Sequence, residues 1–358
     1  MAIRWRHAME GALYGPGGFF VAGSGPAAHF RTSAHASPAF AAALLRLLAQ
    51  VDVALGHPER LDVVDVGAGR GELLRAFWAA LRSPSVAPPA RTPAPLASRV
   101  RLTAVEKAAR ADGLPERIGW ADEIPTGITG LLVATEWLDN VPLDAVTQTA
   151  DGWRYLLVDP AGGTETIGDP VDAADADWLA RWWPATGAGP DGPERRGAAS
   201  ELPAMSRAEI GRPRDEAWAD AVRHVDRGVA LAVDYGHLRG GRPVDGTLTG
   251  YRNGRQVPPV PDGSCDVTAH VAVDSVASAG ARVARCAYDL RSQREALRAL
   301  GADGGRPPLS LAAQDPAGYV RALAAASAVA ELTDPAGLGG HWWLRQPVGV
   351  DPGPFMAR

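Results

Sequence analysis

Apolar residues recur at two spacings along this chain, and the alternation of the two outlines an α/β protein. Phe40, Leu44, Leu47 and Leu48 fall three or four apart. That period places them on one face of a helix over residues 37–53. Pro38 after Ser37 suits a first helical position behind a cap. Residues 61–66 form a short β-branched run that ends in glycines, and a helical pattern follows over 72–81. Residues 100–106, 130–135 and 228–234 are further apolar runs, short enough for strands buried on both faces of a parallel sheet. Strand, glycine turn and helix together open a doubly wound α/β unit.

Between these elements the pattern weakens. Residues 143–158 alternate in the manner of a hairpin, with Asp151-Gly152 as its turn. Residues 159–213, rich in Gly, Pro, Asp and Ala, interrupt the α/β pattern and read as an inserted helical cap. The cap carries one short helix around Trp178, Trp182 and Trp183, whose spacing marks a packing face rather than a stacking platform. A helix over 214–227, a strand-like stretch at 281–287, a helix at 319–332 and a final strand at 341–346 complete the reading. Residues 1–36 read as mostly irregular, and the prolines at 84, 88, 89, 93 and 95 mark a loop.

Composition narrows the function classes. The chain has 358 residues, a net charge of −5, and a single lysine, Lys107, among 36 basic residues. No basic run able to neutralise a phosphate backbone is present, so nucleic acid is not an expected partner. Two cysteines, Cys265 and Cys286, are too few for a zinc site or a disulfide framework, and the histidines show no metal-ligand spacing, so no metal is expected. The N-terminus leads into no apolar signal segment, and no stretch approaches the ~20 apolar residues that span a bilayer. The expectation is a cytoplasmic protein without a membrane partner.

The chemistry concentrates at Asp65-Val-Gly67-Ala-Gly69-Arg-Gly71-Glu72, between the first strand and its helix. Glycines there let a ligand approach the amides of a helix N-terminus. A P-loop needs Gly-Lys-Ser/Thr, which the position of the only lysine excludes. A dinucleotide turn wants G-x-G-x-x-G, but the place of the last glycine is held by Glu72. The G-x-G-x-G spacing is instead that of S-adenosylmethionine (SAM) methyltransferases. Asp65 can receive the cofactor's ammonium by a charge-assisted hydrogen bond. Glu106, at the end of the second strand, can take ribose hydroxyls. The competing account is a tight turn with no ligand and a solvated strand end at Glu106.

Further motifs stand in order: Phe30-Arg-Thr-Ser33, the glycine turn, Val105-Glu106, Thr135-Glu-Trp-Leu-Asp-Asn-Val-Pro142, Asp234-Tyr-Gly236, Gly246-Thr-Leu248 and Asp266-Val-Thr-Ala-His-Val271. Together they resemble the MidA-like family, class I SAM-dependent methyltransferases related to the mitochondrial complex I assembly methyltransferase. The resemblance covers about residues 10–345. It implies a Rossmann-like seven-stranded core over 61–358, with the cap inserted at about 159–213. Residues 1–60 are then an N-terminal segment and helix that close over the cofactor. By position it assigns Gly67, Gly69, Gly71 and Glu106 to SAM, Phe30, Thr32 and Ser33 to the closing segment, and, more loosely, Trp120 and Asp122 to adenine. It also suggests protein arginine as the acceptor. The chain departs from the family at two positions on the acceptor side: Thr135 stands where the family has Asn, and Gly254 where it has His.

Glu136 and Asp139 follow the fourth strand, at the edge where doubly wound sheets bind ligands. Two carboxylates can hold a planar guanidinium and localise its charge away from the attacking nitrogen; Glu136 also borders the cofactor. Asp266 and His270, four apart, read as an acceptor-side or base pair. Helix capping by Asp139, solvation of Glu136 and a structural His270 are the rival roles. Two alternatives stay open: methylation of an oxygen or nitrogen of a small metabolite or peptide, with His270 as base, and a non-catalytic assembly factor on the same fold. The partners implied are thus a protein or small-molecule methyl acceptor, S-adenosylhomocysteine as product, and an open oligomeric state, a homodimer included.

Overall fold

The computed structural model describes residues 1–22, 38–82, 95–183, 207–302 and 304–355. Phe30, Thr32, Ser33, most of the proline loop and part of the cap lie outside the described residues. The chain divides into two compact units. One comprises Gly25–Trp137, Ala219–Tyr235 and Gly280–Arg358; the other comprises Met1–Ser24, Leu138–Trp218 and Gly236–Ala279.

The first unit is built on seven strands: β1 (Leu61–Val66), β2 (Val100–Val105), β3 (Ile118–Ala121), β4 (Ile128–Thr135), β5 (Val225–Asp234), β6 (Asp289–Ser292) and β7 (Trp342–Val348). Their order across the sheet is β6-β7-β5-β4-β1-β2-β3. All run parallel except β7, which is antiparallel to both β5 and β6. Every residue of β1 is buried, as expected for a central parallel strand covered on both faces. The helix Pro38–Ala54 buries Phe40, Leu44, Leu47 and Leu48, and the helix Glu72–Leu81 buries Leu73, Leu74 and Phe77. Each such side chain contributes about 1.5–3 kcal/mol of transfer free energy. Arg99 joins the first of these helices to the root of β2 by a two-pronged bond to Asp52, with both N–O distances at 2.8 Å. The expected seven-stranded α/β core is therefore present.

The second unit holds an antiparallel sheet. Asp144–Thr149 and Gly152–Val158 form the expected hairpin, and Thr149 pairs with Gly152 around the turn. Ile3–Arg4, Glu165–Pro170 and Arg207–Ile210 extend it. Residues 159–213 thus supply strands as well as the helix Ala173–Trp182; the Gly, Pro and Asp of this stretch mask the strands in the sequence. Trp178 and Trp183 are buried in the core of this unit with Tyr155, Leu179 and Ile210, as their spacing predicted.

Three expectations need correction. Of residues 1–36, the described part, 1–22, is not mostly irregular: Trp5–Tyr14 is a helix that buries Trp5, Ala8, Met9, Ala12 and Leu13, and Phe19–Ala22 is a second short helix. The strand expected at 281–287 is the end of the helix Val273–Ala284, and the strand comes later, as β6. The helix expected to reach 227 stops at Arg223, where β5 takes over. Among the described residues no helix is long and apolar enough to cross a membrane, and no group of three His, Cys, Asp or Glu is placed to hold a metal ion.

Candidate active site

β1 hands over to its helix through three glycines with positive φ: Gly67 at 71°, Gly69 at 56° and Gly71 at 80°. Glycine enters this region without steric cost, but the three positions need it for different reasons. A Cβ at Gly67 would lie 2.9 Å from Trp137 Cδ1, and one at Gly71 would lie 2.7 Å from Leu114 Cδ1. A Cβ at Gly69 would meet nothing nearer than Glu72 Oε2, at 3.6 Å. Gly67 and Gly71 therefore serve packing, while Gly69 keeps open space beside the positive end of a helix.

Glu106 ties the turn together. Its Oε2 accepts from the Gly69 N–H at 2.9 Å, and its Oε1 accepts from the N–H groups of Lys107 (2.7 Å) and Ala108 (3.2 Å). Its own N–H donates to Ala121 O at 2.9 Å, which brings the end of β3 alongside. Trp120, on β3, donates its indole N–H to Ala108 O at 3.1 Å, and exposed Asp122 follows just past the strand. The sheet edge thus gathers the predicted Gly69, Glu106, Trp120 and Asp122.

Asp65 lies beneath them with only 2 % of its surface exposed. Its Oδ1 is buried and has no hydrogen-bond partner among the described residues. Burial pushes its carboxyl well above the usual range, and the charges of Glu106 and Glu72 push it further. Three carboxylates around an open turn suit a cation. SAM, with an ammonium and a sulfonium against one carboxylate, is such a ligand, whereas a dinucleotide pyrophosphate is not. The residues present fit the cofactor.

At the end of β4, Glu136 takes the left-handed conformation, φ 49°, at a cost of about 1–2 kcal/mol for a side chain of this kind. Its N–H donates to Val233 O on β5 at 2.8 Å, which holds the turn and lets Trp137 cover Gly67. The Glu136 carboxylate lies 4.0 Å from His341 Nδ1, and both side chains are largely buried. The Tyr235 ring stands 5.5 Å from that imidazole. His341 and the packing role of Trp137 escaped sequence reasoning. No local signal marks His341, which reaches this edge only because β7 runs backwards.

Asp139, Asp266 and His270 belong to the second unit. Asp139 is buried and its Oδ2 accepts from Thr268 Oγ1 at 2.7 Å. Asp266 Oδ1 accepts from the Asn140 side-chain amide at 2.7 Å. Buried Arg214 donates to the backbone carbonyls of Val141 (3.1 Å), Ala269 (2.8 Å) and His270 (3.1 Å), and to that of Asp139. The His270 N–H donates to Thr247 Oγ1 at 2.8 Å, and that hydroxyl in turn donates to buried Glu209 at 2.7 Å. His270 is exposed, yet partial desolvation pulls its imidazole below the ordinary value; Glu209 opposes this and Arg214 adds to it. Arg214 and Glu209 were also missed, because each acts on backbone groups far away in sequence.

A doubly wound sheet with a glycine turn and an acidic cradle at its carboxyl edge defines a binder of a cationic nucleoside cofactor. Residues 43–289 match the family described as "Putative S-adenosyl-L-methionine-dependent methyltransferase". The chain belongs to this family and is a SAM-dependent methyltransferase. It is similar to a COG1565 superfamily member from Burkholderia thailandensis, described as a "likely methyl transferase" and bound to S-adenosyl-homocysteine. The two are 25% identical with a TM-score of 0.73, over 98% of this chain and 89% of that one. It is also similar to an uncharacterized COG1565 superfamily protein from the same organism, at 26% identity and a TM-score of 0.70, over 98% of this chain and 88% of the other. No curated protein matches the sequence.

Proposed function

We propose that the chain transfers the methyl group of SAM to a guanidinium nitrogen of a protein arginine side chain, with the Glu136 carboxylate holding the guanidinium. The observation that carries this reading is Glu136 itself, a carboxylate held in a strained backbone conformation at the carboxyl edge of β4, next to the glycine turn. Such strain persists where surrounding structure over-determines it, and it concentrates at functional sites. SAM supplies an electrophilic methyl group, and the protein's task is alignment, which can remove several kcal/mol of barrier. In this reading Asp65 receives the ammonium and Gly69 leaves room for the methionine part, while Gly67 and Gly71 let the turn close against Trp137 and Leu114. Glu106 takes the ribose hydroxyls, and Trp120 and Asp122 border the adenine.

One observation favours a second acceptor, an oxygen or nitrogen of a small metabolite or peptide. His270 is an exposed imidazole whose proton affinity is lowered, so it is neutral and able to act as a base near pH 7. Asp139, through Thr268, and Asp266, through Asn140, would then fix the backbone around it.

Incubation with methyl-labelled SAM and cell extract separates the two readings. Label in methylarginine is the expected result; label confined to small molecules would sink the arginine reading. Glu136→Gln should lower transfer by about 100-fold while SAM affinity, measured by calorimetry, changes little. Gly69→Val should cost at least about tenfold in SAM affinity; at φ 56° the side chain also adds about 2 kcal/mol of backbone strain, so a melting curve is needed to show that the variant is folded. Unaltered SAM affinity in that variant would refute the assignment of the turn.

A further inference from the structure

We propose that His341 is the positioning partner of Glu136 and the outlet for the proton that methyl transfer releases. The proposal rests on the reading of Glu136 as the group that holds the acceptor. Trp342 pairs with Asp234 in the β5–β7 register, so His341 stands one step beyond the carboxyl edge, where Glu136 and Tyr235 also emerge. Its backbone is pinned on both sides: its N–H donates to Leu338 O at 3.1 Å, and its carbonyl accepts from the Gln293 N–H at 2.7 Å. The imidazole is thereby held near the carboxylate, with Nδ1 4.0 Å from Oε1. At that separation, with both side chains largely buried, opposite charges attract far more strongly than in water.

The chemistry needs such a partner. As the C–N bond forms at the acceptor nitrogen, the C–S bond breaks and sulfur keeps the electron pair. The nitrogen, now carrying one positive charge too many, sheds a proton to the Glu136 carboxylate. An ordinary carboxylate keeps a proton only below about pH 4, whereas an imidazole takes one up near pH 6.5. Glu136 therefore passes the proton to His341 Nδ1, and His341 releases one from Nε2 to water. Among the described residues, the ionisable groups beside His341 are Glu136 from β4 and Tyr235 from β5, with Asp234 of β5 opposite the next residue, Trp342. Ser292, Gln293 and residues 338–340 carry none, and Arg294 of the next helix is turned to Thr333 O. Glu136 is the group whose charge this route uses.

The first test requires neither cofactor nor acceptor. Histidine ring signals of the labelled full-length chain are followed by NMR against pH, and His341→Gln identifies the signal of interest. In Glu136→Gln the His341 pKa should fall by about half a unit or more, because a neighbouring negative charge has gone. An unchanged pKa would overturn the proposal, whatever the acceptor proves to be. The second test reads turnover against pH with the acceptor found by labelling. Wild-type kcat should fall tenfold per unit below the His341 pKa. His341→Gln should lose that acid limb and about 100-fold of its rate at neutral pH, with SAM affinity unchanged. An acid limb retained in His341→Gln would also overturn the proposal. Coupling by NMR without methylarginine would remove only the arginine reading and leave the Glu136–His341 pair in place.

Discussion

Arg214→Leu should destabilise the second unit by about 3–5 kcal/mol, the largest stability effect expected of any single substitution described above. The guanidinium is 1 % exposed and donates to the carbonyls of Asp139, Val141, Ala269 and His270. An apolar replacement would fill part of the volume but leave those oxygens buried with fewer donors. An unmet buried acceptor costs more than a made bond contributes. Scanning calorimetry should register a fall of roughly 6–20 °C in the melting temperature. Arg214→Lys should lose less, since an ammonium keeps three donors but not the planar fork. A leucine variant that melts with the wild type would show that the clasp is incidental.

The second large effect concerns Asp65 and has opposite signs for binding and stability. Its carboxyl is fully buried, lacks a partner at Oδ1 among the described residues, and faces Glu106 and Glu72. Its folded-state pKa is therefore raised above the unfolded value. For a carboxyl this means that stability is greatest below the unfolded pKa and is lost as pH rises through the folded one. Asp65→Asn should accordingly make the cofactor-free chain more stable at neutral pH. The ammonium of SAM, however, needs the ionised carboxylate. Affinity should fall as pH drops through the raised pKa, and binding below it should release a proton. Calorimetry in two buffers of different ionisation enthalpy would detect that release. Asp65→Asn should abolish it and weaken SAM binding by about 10- to 100-fold, the worth of one charge-assisted hydrogen bond. Proton release that survives in Asp65→Asn would place the titration elsewhere.

The legible parts of the fold were those dictated locally. The run at 61–66, the helix at 72–81 and the glycines between them carry their own periodicity and turn chemistry, and the cofactor edge followed from them. The helix Trp5–Tyr14 has a proper buried face, but no side chain caps its N-terminus, and His7 and Gly11 within it weaken the helical pattern in the sequence. The helix Val273–Ala284 ends at Arg285, whose φ is 50°; an arginine in the left-handed region gives no stop signal of the kind a glycine would. Its last turn thus read as a strand. The parts of the site that stayed hidden were set by tertiary pairing. His341 is brought to Glu136 by strand direction, and Arg214 recognises carbonyls, which every residue has. Side-chain pattern cannot announce either.

The reversed strand β7 has one more consequence, for the order in which the molecule can be assembled. β7 follows β6 in the chain yet lies between β5 and β6. Until residues 342–348 have been synthesised, β6 has no strand to pair with, and β5 ends the sheet as an open edge. That edge is ten residues long, and its stretch from Gly228 to Asp234 is buried in the finished protein. A long apolar edge is a template for pairing with other chains. The nascent chain therefore passes through a stage at which most of the sheet exists but its most adhesive strand is uncovered, and a late, distant segment must close it. Non-local pairing of this kind forms late, because the loop between β5 and β7 must close before the pair is made.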